Sequence, residues 1–315
     1  MNPNYKKHFP VMLPEVLQAL EPQDGQTYVD ATFGNGGYSE AILKAANCKV
    51  IALDRDPNVL PRAQELETQY GDRFEFRAGQ FGDFAELIEE TIDGAVFDIG
   101  VSSMQLDEAD RGFSFAKVAP LDMRMSQAGL SAAELVNTLP ETELANIIYN
   151  YGEEKKSRQI AKKVVEYRQN KPISTTKELA EIIYTVIHRT PNTIDPATRT
   201  FQALRIAVND ELNELQKGLQ GATLRLGNGG KLVVVDFHSL EDRIVKNYFK
   251  ENASKKAHIS RYSTQQPEDD GAVFESASKA ILPSAEELKI NPRSRSAKLR
   301  VAVKKNAVSK ENLDE

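Results

Sequence analysis

The sequence predicts an α/β protein in which a parallel sheet is interrupted by a helical insertion. Apolar, strand-like runs alternate with helical stretches in the first third of the chain, which is typical of parallel strands joined by right-handed crossovers. The strands lie at 27–33, 49–54, 73–77 and 94–98, and the helices at 38–46, 57–69 and 83–90. From 131 to 187 the pattern is helical throughout, and a fully apolar strand, KLVVVDF, returns at 231–237.

The other elements follow from local signals. Pro14 stands in the first turn of a short helix at 11–20, and capping-box spacings at Ser131 and Thr175 start two helices of the insertion. After the insertion we expect one long helix at 201–219 and a turn at Gly227, Gly229 and Gly230. A helix at 241–250, capped by Ser239, follows the strand. We then expect a mobile polar loop at 252–272 and an edge strand at 299–305. The predicted domains are 1–106 with 206–315, and the inserted 107–205.

Composition narrows the function classes. The 315 residues are 40% hydrophobic and 27% charged, which is ordinary for a soluble globular protein, and no apolar run has transmembrane length. A single cysteine, Cys48, allows no internal disulfide, and the four histidines lack metal-ligand spacing. We therefore expect a cytoplasmic protein with a metal-free mechanism.

Charge is unevenly distributed. The net charge is −6, yet 288–310 holds eight Lys or Arg and no acid, and 151–205 holds eleven basic and six acidic residues, a balance of +5. Local basic surface on an acidic body fits a protein that docks RNA at one face, and it fits a solvated helix and a charged tail equally well.

The motif VDATFGNGG at 29–37, followed by VIALD ending on Asp54, indicates a nucleoside site. Glycines let the backbone approach a ligand, and an acid at the end of the second strand accepts hydrogen bonds from ribose hydroxyls. The spacing of Gly34, Gly36 and Gly37 departs from the dinucleotide pattern, and Asp30 would repel a pyrophosphate. An acid there suits the cationic amino-acid end of S-adenosylmethionine, so the motif favours a methyl donor over NAD.

Polar side chains also follow two later strands. The fourth strand ends on Asp98, followed by Gly100, Ser102 and Ser103. Carboxyl ends of strands face the ligand crevice of an open sheet, so Asp98 is expected beside the reacting methyl, where it could bind the N–H groups of an amine acceptor and take its proton. Ser102 and Ser103 add hydroxyls there, and the alternative is that Asp98 caps the strand and an ordinary turn follows.

The sequence leaves the roles of three further features open. His238, after the KLVVVDF strand, is equally suited to packing and to substrate contact. Phe81, just past the third strand, could stack on an adenine or belong to the core. The loop-like segments RGFSF (111–115) and LDMRM (121–125) could receive a flipped base or simply pack.

The blocks GVSSMQLD, PLDMRM, FHSLEDRIVK and NPRSRSAKLR, with others in order over 8–305, resemble the MraW family, the ribosomal RNA small-subunit methyltransferases H. The resemblance implies a class I, Rossmann-like methyltransferase sheet with an inserted substrate-recognition domain. It implies S-adenosylmethionine-dependent N4-methylation of one cytidine in the decoding centre of 16S rRNA, position 1402 in the usual rRNA numbering. The cofactor positions that it implies are Gly36, Gly37, Tyr38, Asp54, Phe81, Asp98 and Gln105.

The chain departs from the family at Tyr38, where histidine is usual. The expected partner is 16S rRNA within the small ribosomal subunit, and the oligomeric state stays open, a homodimer included. Rival interpretations are an NAD-dependent oxidoreductase and a ribosome-assembly factor that uses the cofactor only structurally. The side chains predicted to contact RNA phosphates are Arg124, Arg199, Arg205, Lys246, Arg293 and Arg295.

Overall fold

The computed structural model describes residues 10–191, 193–254 and 271–306. The chain forms two compact units, one of Met1–Gly100 with Asn213–Glu315 and the other of Val101–Leu212. The divisions therefore fall at 100/101 and 212/213, where the sequence placed them at 106/107 and 205/206. Within the described ranges, no helix combines the length and apolar character that a membrane span needs.

The first unit is built on a seven-stranded sheet with the order β3-β2-β1-β4-β5-β7-β6. Strands β1 to β5 run parallel, and β7 runs antiparallel to both β5 and β6. The strands are Thr27–Asp30 (β1), Lys49–Asp54 (β2), Phe74–Ala78 (β3), Ile92–Asp98 (β4), Leu226–Asp236 (β5), Phe274–Ala277 (β6) and Lys298–Lys304 (β7). This order and the reversed strand β7 are the class I methyltransferase arrangement that the resemblance implied.

Alternate residues of the central strands enter two different cores. In β2, Val50 and Ala52 join one buried cluster while Ile51 and Leu53 join another. Burying both faces explains why these strands are almost continuously apolar. Helices with residues in these two cores include Leu13–Leu20 (α1), Gly37–Ala45 (α2), Leu60–Tyr70 (α3), Phe84–Leu87 (α4) and Ser239–Asn252 (α12). The short helix Ala285–Ile290 (α13) has no buried residue.

The second unit is helical and has its own core, in which residues such as Leu144, Ile160 and Phe201 are buried. The capping boxes predicted at Ser131 and Thr175 are present. Its helices are Ser103–Asp107 (α5), Ala132–Thr138 (α6), Glu141–Gly152 (α7), Ser157–Arg168 (α8), Thr176–Val186 (α9) and Ala197–Asn209 (α10). Helix α11, Glu211–Arg225, starts in the segment of the second unit and continues in the first.

The predicted single helix at 201–219 is wrong. Asp210 adopts a left-handed conformation, φ 50°, and its backbone N–H bonds the carbonyl of Ile206, which ends α10 before α11 begins. The predicted turn at Gly227–Gly230 is also wrong, because β5 already begins at Leu226 and absorbs the glycines as an irregularity in its pairing with β4.

The segment predicted as an edge strand, 299–305, forms β7, which lies inside the sheet between β5 and β6. The pattern of the sequence did not indicate β6, a four-residue strand that takes the edge position. Most of the loop predicted at 252–272 lies outside the described residues.

Candidate cofactor and methyl-transfer site

Four strands of the first unit end on an aspartate at the same edge of the sheet. Asp30, Asp54, Asp98 and Asp236 are the last residues of β1, β2, β4 and β5. Since the four strands are parallel, their carboxyl ends lie along one edge, where open α/β sheets bind ligands.

The glycine turn between β1 and α2 requires glycine for two reasons. Gly34 and Gly36 adopt positive φ values of 51° and 71°, which L side chains rarely adopt. A Cβ atom on Gly36 would lie 2.7 Å from the Phe33 ring, and one on Gly37 would lie 2.3 Å from Pro10. The turn therefore brings bare backbone to the sheet edge, as the sequence predicted.

Asp30 has an internal role that its sequence position did not reveal. It is fully buried, and its Oδ2 accepts hydrogen bonds from the backbone N–H (3.1 Å) and the hydroxyl (2.7 Å) of Ser39. Burial raises the pKa of this carboxyl to about 6. Asp30 thus holds the first turn of α2.

Asp54 is held rigidly by the backbone. Its Oδ2 accepts the N–H of Gly34 at 2.8 Å, and its Oδ1 accepts the N–H of Asp56 at 2.9 Å. The residue remains partly exposed, and burial raises its pKa. Each carboxylate oxygen has more than one acceptor position, so hydroxyl donors from a ribose could still bind. The geometry fits the predicted role.

Phe81 follows β3 and is half-buried. Its ring meets that of Phe97 edge-on, with the centroids 5.7 Å apart. Both alternatives from the sequence are therefore compatible with its position, because one part of the ring packs on the core while another part stays exposed.

Asp98 ends β4 with its backbone N–H donated to the hydroxyl oxygen of Thr32 at 2.8 Å. Its Oδ1 is buried, and among the described residues it has no hydrogen-bond partner. Burial, followed by the charge of Asp30, raises the pKa of Asp98 to about 8, with a smaller rise from Glu241 and a lowering by Tyr38. These surroundings favour the neutral form of the acid in the free protein.

Tyr38 shows what the departure from histidine does to the side chain. The ring is buried with 4% exposure, and its hydroxyl donates a hydrogen bond to the carbonyl of Val11. Burial, then the charge of Asp98, raises the pKa of the Tyr38 hydroxyl, and Tyr38 in turn lowers the pKa of Asp98. The side chain thus influences the acid at the end of β4, which sequence spacing alone did not reveal.

His238 caps helix α12, a role predicted for Ser239. Its Nδ1 accepts the N–H of Glu241 at 3.4 Å, while Oε2 of Glu241 accepts the N–H groups of Phe237 (3.0 Å) and His238 (3.1 Å). His238 and Glu241 have the spacing of a capping box, so the sequence contained a signal from which this cap could have been predicted. The cap gives His238 a structural role, and a substrate contact stays a prediction.

The second unit holds three of the residues predicted to act in catalysis or cofactor binding. Ser102 and Gln105 cap α5 reciprocally: the Ser102 hydroxyl accepts the N–H of Gln105 at 3.2 Å, and Oε1 of Gln105 accepts the N–H of Ser102 at 3.0 Å. Ser103 is the first residue of α5. The cap gives Ser102 and Gln105 a structural role at the start of α5. The catalytic and cofactor roles of all three residues stay predictions.

The basic residues predicted to contact RNA differ in how available their charges are. Arg205 forms two hydrogen bonds of 2.7 Å with Glu211, and Arg124 forks onto Asp122. Bidentate pairing satisfies most of the donors that a phosphate would use. Four of the predicted residues have exposed side chains: Lys246, Arg293, Arg295 and Arg199, the last of which lies 3.9 Å from Glu154.

Part of the basic segment at 288–310 is internal. Lys298 and Arg300 both donate to Asp242, at 2.8 and 2.6 Å, and Lys304 donates to backbone carbonyls of α11 and β5. These three charges stabilise the first unit, whereas Lys310 lies outside the described residues. The local charge count therefore overstates the surface that is open to a polyanion.

Comparison with known proteins gives consistent names. The profile of the MraW methylase family matches residues 5–305. A protein of Rickettsia massiliae (strain Mtu5), named ribosomal RNA small subunit methyltransferase H, is 55% identical over 300 residues, covering 94% of this chain and 98% of the relative. A protein of the same name from Rickettsia akari (strain Hartford) is 53% identical over 304 residues, again covering 94% and 98%.

Solved structures are more distant. An rRNA methylase from Streptococcus thermophilus aligns with a TM-score of 0.41 and 12% identity, covering 93% of this chain and 94% of that one. TrmN from Thermus thermophilus aligns with a TM-score of 0.41 and 10% identity, covering 93% and 48%. At these TM-scores the likeness carries no argument about the site.

Proposed function

This chain belongs to the MraW methylase family, and on that premise we propose that it transfers a methyl group to the N4 atom of one cytidine in the 16S rRNA of the small ribosomal subunit. The relatives are named as small-subunit rRNA methyltransferases, which supports RNA as the acceptor. The atom that is methylated, and the decoding-centre cytidine at position 1402, are the finer part of the proposal. We also propose that the reaction takes place in the cytoplasm.

The cofactor of the family is S-adenosylmethionine, whose sulfonium supplies an electrophilic methyl group. The residues at the carboxyl edge of the sheet fit this cofactor. The turn at Gly34 and Gly36 leaves backbone without side chains at the sheet edge, and Asp54 offers fixed carboxylate oxygens for ribose hydroxyls. Asp30 and Glu241, which both act on Asp98, supply a negative environment for a positively charged ligand.

The position of Asp98 is the observation that supports an amine as the methyl acceptor. An exocyclic amine has its lone pair delocalised into the base, so a group that accepts its N–H bonds favours the tetrahedral, nucleophilic nitrogen. Asp98 ends the central strand β4, its backbone is held by Thr32, and the residue is partly exposed. In this role it orients the amine and receives the proton that the nitrogen loses.

Substitution of Asp98 tests this assignment. We expect Asp98→Asn and Asp98→Ala to lower methyl transfer to unmethylated small-subunit RNA by roughly a hundredfold or more, the usual effect of a positioned acid–base group. The measurement is incorporation of labelled methyl, alongside calorimetric binding of S-adenosylhomocysteine. Asp83→Asn, which changes an exposed acid beside Phe81, is the matched control.

Full methyl transfer by the Asp98 variants with normal cofactor binding would contradict the role of Asp98 in catalysis. A wild-type protein that binds the particle and cofactor but transfers no methyl at any assembly stage would instead favour the ribosome-assembly factor.

A further inference from the structure

Asp98 lies among acidic and phenolic groups that come from several elements. Asp30 at the end of β1 and Glu241 on α12 raise the pKa of its carboxyl, whereas Tyr38 on α2 lowers it. Tyr38 in turn lies near Asp30 and near Glu287 of α13, and Glu287 accepts the N–H of Met12 at 3.3 Å. Negative charges therefore approach Asp98 from neighbouring elements, which disfavours a further negative charge on it.

The hydrogen bonds around Asp98 leave one of its carboxyl oxygens without a donor. The hydroxyl of the neighbouring Tyr38 donates its hydrogen to the carbonyl of Val11. Oδ1 of Asp98 is buried and has no hydrogen-bond partner among the described residues. A negative charge on a buried oxygen that lacks a donor is costly, so this geometry favours the neutral acid.

From this arrangement we propose that Asp98 gives up its proton when the positively charged methyl donor binds, and takes a proton from the acceptor amine as that positive charge is lost. A sulfonium beside the carboxyl favours the ionised acid, because opposite charges attract strongly where water is excluded. Asp98 would then be ready to accept a proton only in the complex that holds a transferable methyl group.

The step balances in atoms and charge. The amine nitrogen forms the new C–N bond, the C–S bond breaks, and its electron pair stays on sulfur as a neutral thioether. The nitrogen then loses one proton to the Asp98 carboxylate, which restores the neutral acid of the free protein. This return of the proton rests on the proposed N4-methylation, whereas the release of a proton on donor binding does not.

The proposal predicts that the two forms of the cofactor differ in proton linkage. At pH 7 we expect S-adenosylmethionine to release on the order of one proton per molecule bound, and the uncharged-sulfur product S-adenosylhomocysteine to release clearly less. The difference should vanish near pH ~9.5, where Asp98 is already ionised. Calorimetric titrations in buffers of different ionisation enthalpy measure proton release directly, with wild-type protein and without RNA.

Asp98→Asn should abolish the difference between the two ligands, and Asp83→Asn should preserve it. Equal proton release for both ligands in the wild type would overturn the proposal, as would a difference that persists in Asp98→Asn. If Asp98→Asn binds neither ligand, the wild-type protein provides the test. Its affinity for S-adenosylmethionine relative to that for S-adenosylhomocysteine must increase from about pH 6.5 to about pH 9, and a constant ratio refutes the proposal. Because RNA is absent, these results are independent of which nucleoside is methylated.

Discussion

At the scale of single residues, the carboxyl groups along the sheet edge have different roles because their surroundings differ. Asp30 is occupied by Ser39, and Asp54 is fixed by two backbone N–H groups. Asp98 keeps an unsatisfied buried oxygen beside Tyr38. Four aspartates that look alike in the sequence thus differ in their surroundings, and we propose a cofactor-binding role for Asp54 and a proton-transfer role for Asp98.

Asp54→Asn should weaken binding of S-adenosylhomocysteine about tenfold, near 1.4 kcal/mol, because a charge-assisted acceptor for ribose hydroxyls is removed. Calorimetric titration measures the affinity, and thermal unfolding checks that the turn at Gly34 persists. Unchanged affinity in a folded variant would remove Asp54 from the cofactor site, and Asp83→Asn is again the control.

Asp236 is fully buried, and neither carboxyl oxygen has a hydrogen-bond partner among the described residues. Burial, then the nearby Asp242 and Glu241, raises the pKa of Asp236 to about 8. Its unfolded value is lower, so the folded state binds more protons, and the contribution to stability is lost as the pH rises from about 4 to about 8.

Asp236→Asn should therefore become more stable relative to the wild type as the pH rises through that window, by an amount on the order of a few kcal/mol, and the gain should level off above about pH 8. Denaturant unfolding at several pH values measures the free-energy difference. A difference that stays constant over the window would show that Asp236 is not a buried, protonated acid.

At the scale of elements, caps and breaks decide where the helices lie. The boxes at Ser131 and Thr175 could be read from sequence because both partners are three residues apart and local. The break at Asp210 could not, because a left-handed aspartate leaves no pattern in hydrophobic periodicity. The position of β7 inside the sheet depends on pairing with β6, a contact between distant residues that periodicity does not encode.

Thr175→Ala should lower the free energy of unfolding by about 1 kcal/mol, since the N–H of Glu178 loses its acceptor at the start of α9. Chemical denaturation followed by circular dichroism measures it. Thr68→Ala, in the exposed interior of α3, is the matched control and should have little effect. Equal effects of the two changes would contradict the importance of the cap.

At the scale of the whole molecule, the sequence predicted the α/β sheet, the inserted helices and the positions of Asp54 and Asp98, because those signals lie in short motifs at strand ends. It could not predict which charges are paired. Arg205 and Arg300 stand in basic segments, yet Glu211 and Asp242 neutralise them through contacts that only the folded chain makes. Exposed basic residues are accordingly the better candidates for RNA contact.

The double charge reversal Arg293→Glu with Arg295→Glu should weaken binding to small-subunit RNA at least roughly tenfold at low salt. It should also reduce the slope of log Kd against log salt concentration by about two, one for each phosphate that is no longer neutralised. Filter binding over a salt series measures both. The same change of net charge at Lys44 and Lys49, on α2 and β2, is the control, and equal effects in the two variants would indicate a general charge effect.

The identity of the methylated nucleoside tests the central claim most directly. Small-subunit particles that lack the modification are incubated with the protein and labelled S-adenosylmethionine, and the 16S rRNA is then digested to nucleosides for mass spectrometry. We predict N4-methylcytidine as the labelled product, at one position and absent with Asp98→Ala. A label in any other nucleoside, or at carbon 5 of cytidine, would contradict the proposed function.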